Sequence, residues 1–114
     1  MTVARQKLGA HGERLAARRY EADGYEVVAR NWRCGDGELD LVLRRDDVLV
    51  FAEVKTRTSD RFGHPAEAVT YAKQRRIRGL AQRFCAETGN RARVLRFDVV
   101  SVLRGQVERY EGCF

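Results

Sequence analysis

Three charged side chains, Asp40, Glu53 and Lys55, have the types and the spacing that phosphate chemistry uses. Glu53 and Lys55 are separated by one residue, so both point to the same face of a strand. A hard cation such as Mg²⁺ takes carboxylate oxygens together with waters and phosphate oxygens, and it can polarise a scissile phosphate. A lysine next to the second carboxylate could orient the attacking water or stabilise the developing charge. These residues would therefore suit metal-assisted hydrolysis of a phosphate ester.

Two alternating stretches, residues 37–43 and 48–55, carry these side chains, and a short charged segment joins them. Alternation with a period of two is typical of β-strands, so the pattern predicts a β-hairpin. The first strand should place Asp40 opposite a row of leucines, namely Leu39, Leu41 and Leu43. If the charged faces of the two strands coincide, the two carboxylates and the amine meet at one end of the hairpin.

Two carboxylates and an amine on neighbouring strands are costly to hold together unless a metal or a substrate uses them. The alternative is a cross-strand ion pair, which is common on half-exposed sheets. The residue pattern leaves both interpretations open.

Helices and strands predicted on either side must position the hairpin. Periodicity, together with glycine and proline signals, predicts four further elements: a helix over 5–23, a strand over 25–32, a helix over 65–88 and a strand over 94–103. The tail after the last strand could add another. We find no linker, repeat or low-complexity stretch, so we expect residues 1–114 to form one α/β domain with a mixed sheet.

The composition favours an anionic partner. The net charge is +6, and only three of the 22 basic residues are lysines. Arginine makes planar, bidentate contacts to phosphate, which favours a nucleic acid, although a GC-rich genome would produce the same bias. The sequence lacks a leader-like segment and an apolar run of membrane-spanning length, so we expect a cytoplasmic protein without a membrane partner. Three widely spaced cysteines predict neither structural zinc nor a disulfide framework, and we expect no small-molecule cofactor.

Asp40 followed by Glu53-Val54-Lys55, after a helix bearing Glu13, resembles the core of the PD-(D/E)XK nucleases. More closely, the chain is similar to the YraN-like family of small, uncharacterised bacterial proteins with an endonuclease-like fold. The matching segments follow one another over nearly the whole chain: Gly12-Glu13, Gly24-Tyr25, Arg30-Asn31-Trp32-Arg33, Gly37-Glu38-Leu39-Asp40-Leu41, Phe51-Ala52-Glu53-Val54-Lys55-Thr56-Arg57, Gly63-His64-Pro65, Lys73 and Arg96-Phe97-Asp98-Val99.

The resemblance implies a three-layer, restriction-endonuclease-like domain whose mixed central sheet is flanked by helices. It implies that Asp40 and Glu53 hold Mg²⁺ or Mn²⁺ and that Lys55 is the catalytic lysine. Glu13 resembles the extra acid that junction-resolving nucleases of this superfamily place beside the metal. Leu39 stands where the motif's proline would be, a frequent departure.

The implied function is metal-dependent hydrolysis of DNA phosphodiester bonds, at branched or flapped structures. Small nucleases of this kind often need two sites to cut two strands, so we expect that a homodimer can form. Two alternatives use the same fold without catalysis. One is a nucleic-acid-binding module that keeps the charged cluster as an ion-paired scaffold. The other is an interaction protein in a DNA-processing assembly.

Basic residues bracket the acidic centre in the sequence and could form a rim that follows the DNA backbone. The strongest candidates for DNA contact are Arg30, Arg33, Arg57 and Lys73. Lys73 has a second interpretation, in which its stem packs into an apolar helix stripe and its amine reaches water. Further members of the predicted rim are Arg61, Arg75, Arg76 and Arg78.

Other conspicuous residues have structural interpretations. We expect Glu38 to support Asp40 rather than bind metal, and we expect Asp98 to pair with Arg96. His11 and His64 are predicted to cap or pack. Trp32 is predicted to be a core residue, with base stacking as the alternative.

Overall fold

Helices and strands follow one another in the predicted order. The computed structural model describes residues 3–59 and 63–114, and the side chains of residues 3–7 lie outside this description. The elements are α1 (Val3–Ala22), β1 (Glu26–Cys34), β2 (Gly37–Arg45), β3 (Val48–Arg57), a short 3-10 helix (Pro65–Ala68), α2 (Tyr71–Thr88), β4 (Val94–Leu103) and β5 (Gln106–Tyr110). The tail therefore adds a fifth strand.

The five strands form one mixed sheet in the order β1-β2-β3-β4-β5. Strands β3 and β4 are parallel and connected through α2, whereas the other neighbours are antiparallel. A parallel pair needs such a crossover because its second strand must start at the same end as the first.

Side chains alternate along β3 between two cores, so the sheet is covered on both faces. Leu49 and Phe51 pack with α2, and Val50 and Ala52 pack with α1. The result is a helix–sheet–helix arrangement, which confirms the predicted three-layer α/β fold and is consistent with a restriction-endonuclease-like domain. Within the described residues, neither helix has the length and apolar character needed to cross a membrane.

The predicted helix over 65–88 is wrong in its first part. A 3-10 helix ends at Ala68, Val69 is extended, and α2 begins only at Tyr71. The cause is Thr70, whose side-chain oxygen accepts the Lys73 N–H at 3.3 Å and caps the helix.

The predicted row of three leucines is also interrupted. Leu41 and Leu43 pack on the α1 side of the sheet, but Leu39 packs with the α2 core. The pairing of β2 with β3 ends at Leu41 and Ala52, so the segment before Leu41 is not held in the β2–β3 ladder. Leu39 keeps its β1 partner Trp32, but the neighbouring Asn31 has a left-handed backbone with φ 48°, so the ribbon is irregular at this point and the alternation is broken.

Gly12 allows α1 to lie directly on β3. A Cβ at this buried position would overlap the Thr56 hydroxyl and lie 3.2 Å from Thr56 Cβ. Residue 13 is the next one along this helix, so the close approach also determines how near Glu13 comes to the sheet.

We expect Gly12→Ala to lower the free energy of unfolding by about 1–3 kcal/mol, because the added methyl group must push the helix and strand apart. Gly79→Ala is the matched control, since a Cβ on this exposed face of α2 meets nothing within 4 Å. That change should stabilise the protein by up to about 1 kcal/mol through higher helix propensity. Urea unfolding of both variants is the measurement, and equal effects would contradict the close-packing argument.

Candidate active site

The four predicted catalytic residues come together in one cleft. A cavity of about 700 Å³ lies between α1 and the C-terminal half of β3, and Glu13, Asp40, Glu53 and Lys55 all line it. Asp40 and Glu53 occupy the point where β2 leaves β3. There the Asp40 carboxylate accepts the Val54 N–H at 2.9 Å. The carboxylate thus satisfies a backbone donor just beyond the last β2–β3 ladder pair.

Burial and mutual repulsion make the two carboxylates reluctant to ionise together. Burial, and then the negative charge of Asp40, raise the pKa of Glu53 to about 8. Burial also raises the pKa of Asp40, although the Val54 N–H and the charge of Lys55 oppose this rise. As hydrogen-bond partners, the two side chains raise the pKa of Glu53 and lower that of Asp40, so Glu53 is the acid that keeps its proton near neutral pH.

Glu13 is the third acid of the cleft. Burial raises its pKa, and the negative charges of Asp40 and Glu38 act in the same direction. The Asn31 side chain opposes the rise as a hydrogen-bond partner. Asn31 had no predicted role, although its backbone is left-handed with φ 48°. Asparagine is one of the few residues that adopt this conformation readily, so the residue type itself is the sequence signal that could have identified this position.

Within the described residues, Lys55 does not form the ion pairs with Asp40 and Glu53 that an ion-paired scaffold would require. Lys55 lies on the same face as Glu53 and its charge influences both carboxylates, but no ion pair within 4.0 Å joins it to either one. The carboxylates are instead held half-buried and bonded to each other. This arrangement keeps a negative, oxygen-rich point open to the cleft.

The donor set suits a hard cation. Mg²⁺ characteristically binds one or two protein carboxylates and completes its octahedron with waters and phosphate oxygens. Asp40 and Glu53 supply that pair, and burial raises both of their pKa values even though the positive charge of Lys55 opposes the rise. Among the residues that the structure describes, no three His, Cys, Asp or Glu side chains form a ready-made metal cluster, so Glu13 stands apart from the pair.

The pH dependence of stability should reveal the proton that Glu53 keeps in the folded protein. Between 4.5, the ordinary pKa of a glutamate, and about 8, the folded protein keeps a proton on Glu53 that the unfolded chain has released. This contribution to the free energy of unfolding is therefore complete below pH 4.5 and is lost as the pH rises through about 8. One proton gives a slope of at most about 1.4 kcal/mol per pH unit.

We expect Glu53→Gln to flatten this slope, because glutamine cannot lose the proton. Glu26→Gln, on an exposed position of β1, is the control and should leave the slope unchanged. Urea unfolding from about pH 5 to about pH 9 without added metal is the measurement. Parallel curves for the wild type and Glu53→Gln would contradict the assigned titration.

Two of the predicted basic residues lie on the α2 side of the carboxylates. Lys73 and Arg76 line a smaller cleft of about 160 Å³ together with Glu53 and Lys55. Lys73 is exposed, and it lines this cleft together with Glu53 and Lys55. The placement agrees with the interpretation of Lys73 as a residue above the site, while its contact with DNA stays a prediction.

Other basic residues are divided between the site and the rest of the surface. Arg57 lines the main cleft and donates to the Gly63 carbonyl at 2.8 Å, and Arg30 lines a small cavity beside Glu13. Arg33 forms an ion pair with Glu38 at 3.1 Å. The remaining predicted rim residues do not line these clefts or are not described: Arg75 stacks over Tyr71, Arg78 lies over Phe97 and Phe114, and Arg61 lies outside the described residues.

Asp98 has the structural role that was predicted. It is fully buried, and its two carboxylate oxygens each accept a 2.9 Å hydrogen bond from Arg96. The Tyr20 hydroxyl on α1 also donates to it at 2.7 Å, and the Gly112 N–H donates at 3.0 Å. Asp98 therefore joins α1, β4 and the C-terminal segment.

The aromatic residues singled out in the sequence also have packing roles. Trp32 makes an edge-to-face contact with Phe84 at 5.4 Å in the α2 core. His64 accepts the Ala66 N–H at 3.1 Å as the cap of the 3-10 helix, and it packs against Tyr110. These contacts confirm the structural interpretations of Trp32 and His64.

Comparison with known proteins shows that the residues of the site lie within the segment that matches one protein family. The uncharacterised protein family UPF0102 matches residues 12–102. A UPF0102 protein of Beutenbergia cavernae is 60% identical over 101 residues, which cover 89% of this chain and 86% of the relative. A UPF0102 protein of Nocardia farcinica is 57% identical over 87% of this chain and 78% of its own length. One from Parafrankia sp. is 49% identical over 96% and 97%, respectively.

Proposed function

This chain belongs to the uncharacterised protein family UPF0102, the YraN-like family, and we propose that it is a metal-dependent nuclease that hydrolyses phosphodiester bonds in DNA. The observation that carries the proposal is the pair Asp40 and Glu53. Two half-buried acids with raised pKa values line an open cleft, with a lysine on the same strand face. Acids in a cleft whose pKa values are perturbed by burial and by a specific charged neighbour are the type of group that active sites use.

Each residue has a distinct task in this proposal. Asp40 and Glu53 would hold Mg²⁺ or Mn²⁺, and Glu13 would bind through an intervening water or approach as a third acid. When bound, the ion supplies charge neutralisation at the scissile phosphate and lowers the pKa of water. Lys55 orients the attacking water and donates to the oxygen on which charge develops.

The substrate proposal rests on charge. The net charge is +6, and Lys73, Arg76, Arg57 and Arg30 line cavities on both sides of the carboxylates. Basic groups around an acidic centre attract the phosphate backbone and leave the reacting phosphate at the carboxylates. We propose DNA, with branched or flapped structures as the preferred forms.

The direct test uses purified protein and end-labelled duplex, single-stranded, flapped and four-way-junction DNA with Mg²⁺ or Mn²⁺. Metal-dependent cleavage of at least one substrate is expected, and both chelator and Asp40→Asn should stop it. If no substrate is cut with either metal, the nuclease proposal fails. DNA binding that survives chelator and does not need Asp40 would then identify a non-catalytic binding module.

A further inference from the structure

A second cavity of about 260 Å³ adjoins the main cleft. Both cavities are lined by Leu8 on α1 and by the same three consecutive residues at the end of β3, Thr56, Arg57 and Thr58. We call the two adjoining cavities together the α1 groove. Its far end reaches the β4–β5 turn at Arg104 and Gly105.

The two ends of the α1 groove differ in charge. Glu13, Asp40 and Glu53 line only the first cavity. Among the described residues that line the second cavity there is no acid, whereas His11, Arg57 and Arg104 supply hydrogen-bond donors. Arg104 has no carboxylate within ion-pair distance in the described part of the chain. Arg93, by contrast, is an arginine that pairs with Asp47.

The lining surface of both cavities is more apolar than polar. Leu8, Val54 and Ala68 contribute aliphatic side chains to the first cavity, and Leu8 and Val102 contribute them to the second. A DNA duplex presents phosphates and groove edges, but its base faces are stacked inside. An unpaired strand exposes base faces that gain from apolar contact, and its phosphates still need cations. An apolar lining with cations at the end remote from the acids therefore fits a single strand.

We propose that the α1 groove binds a single DNA strand, with one phosphate at the carboxylates and a neighbouring phosphate at Arg104 and Arg57. This inference rests on the proposed nuclease function, because that function assigns the phosphate at the carboxylates. It narrows the substrate to DNA that is unpaired beside the cut, such as a flap or a splayed junction arm. Arg57 uses one N–H on Gly63, and its guanidinium retains further donors for phosphate.

The first test measures binding in chelator, so cleavage cannot interfere. Fluorescence anisotropy with a labelled oligothymidylate and with a duplex of equal length should show tighter binding of the single strand. Arg104→Ala should weaken single-strand binding roughly five-fold or more, because one charge-assisted hydrogen bond is lost. The negative slope of log affinity against log salt should become shallower, by about 0.7.

Arg93→Ala is the matched control for net charge. Arg93 is 88% exposed and lies near the β2–β3 turn, where it pairs with Asp47. Its removal should leave the single-strand affinity within about two-fold of wild type, because only screened long-range attraction is lost. Equal effects of Arg104→Ala and Arg93→Ala would overturn the proposed contact.

A steric variant tests the groove itself. Gly9 lines the first cavity, and a Cβ at this position meets nothing within 4 Å. Gly9→Trp should fill the groove and weaken single-strand binding, whereas Gly9→Ala should not, and urea unfolding would show that both fold. Unchanged binding by Gly9→Trp, or tighter binding of duplex than of single strand, would overturn the proposal. If DNA is still cleaved in that case, the nuclease function stands and only the single-strand proposal fails. If the single strand binds as expected but no substrate is cleaved, the single-strand proposal stands and the nuclease function fails.

Discussion

Glu53→Gln should abolish metal-dependent DNA cleavage without unfolding the protein. Glutamine has the shape of the protonated glutamate that the raised pKa, about 8, favours at neutral pH, so the folded state should be kept. It cannot supply the negative oxygen that a hard cation requires. Loss of several kcal/mol of charge stabilisation corresponds to a decrease in the single-turnover rate of roughly 10³-fold or more.

One control and two further variants separate the loss of metal binding from the loss of cleavage. Glu26→Gln makes the same chemical change on an exposed position of β1 and should cut DNA at the wild-type rate. Lys55→Met keeps the aliphatic stem and should lose cleavage while still binding Mn²⁺ in a calorimetric titration. Asp40→Asn should lose both. A Glu53→Gln protein that cuts at the wild-type rate would rule out the assigned role of Glu53.

Asp98→Ala should be the most destabilising single substitution among those considered. Asp98 is fully buried, and two of its four hydrogen bonds come from Arg96, whose side chain is only 19% exposed. Removing the carboxylate leaves the Tyr20 hydroxyl without its acceptor, and it leaves the Arg96 charge with only the half-exposed Glu111 carboxylate at 3.4 Å. Breaking a buried ion pair on one side costs about 3–5 kcal/mol, which is a large part of the stability of an ordinary domain.

Asp36→Ala is the control for Asp98→Ala. Asp36 pairs with Arg83 at 2.6 Å, but its side chain is 73% exposed, and such surface pairs contribute at most about 1 kcal/mol. Urea unfolding of both variants at pH 7 is the measurement. Equal losses would show that the Asp98 contacts do not join α1 and β4 as described. Tyr20→Phe should fall between the two, because it removes a single donor.

The sequence by itself determined the order of the elements and the layered fold. Alternation with a period of two identified β2 and β3, and the strand predicted over residues 94–103 has the observed bounds of β4. Helical spacing identified α1 and most of α2. These signals are local and repeat over many residues, so each element is specified several times. The alternation along β3 placed Glu53 and Lys55 on one face, whereas the meeting of Asp40 with Glu53 also required the hairpin register, in which Leu41 pairs with Ala52.

Features that depend on a single contact were decided by the tertiary structure. The break before α2 came from one capping side chain, Thr70. Leu39 packs on the α2 side of the sheet, opposite to Leu41 and Leu43, in the segment beyond the end of the β2–β3 ladder. Asn31 and Gly12 gained their roles only when α1 was laid against the sheet. The contacts of Asn31 and Gly12 join positions far apart in the chain, so nothing in the local pattern records which partner will be present. The Thr70 cap acts only three residues away, on Lys73, but the helical pattern continues across it and conceals where the helix begins.

The same distinction applies to the charges around the site. Composition predicts a basic surface, but it does not say which arginines face the carboxylates. The fold brings Lys73, Arg76 and Arg57 to the clefts and directs Arg75 and Arg78 to aromatic rings elsewhere. The pKa of Glu53 is likewise a tertiary property, because burial and a neighbouring charge raise it, and both exist only in the folded chain.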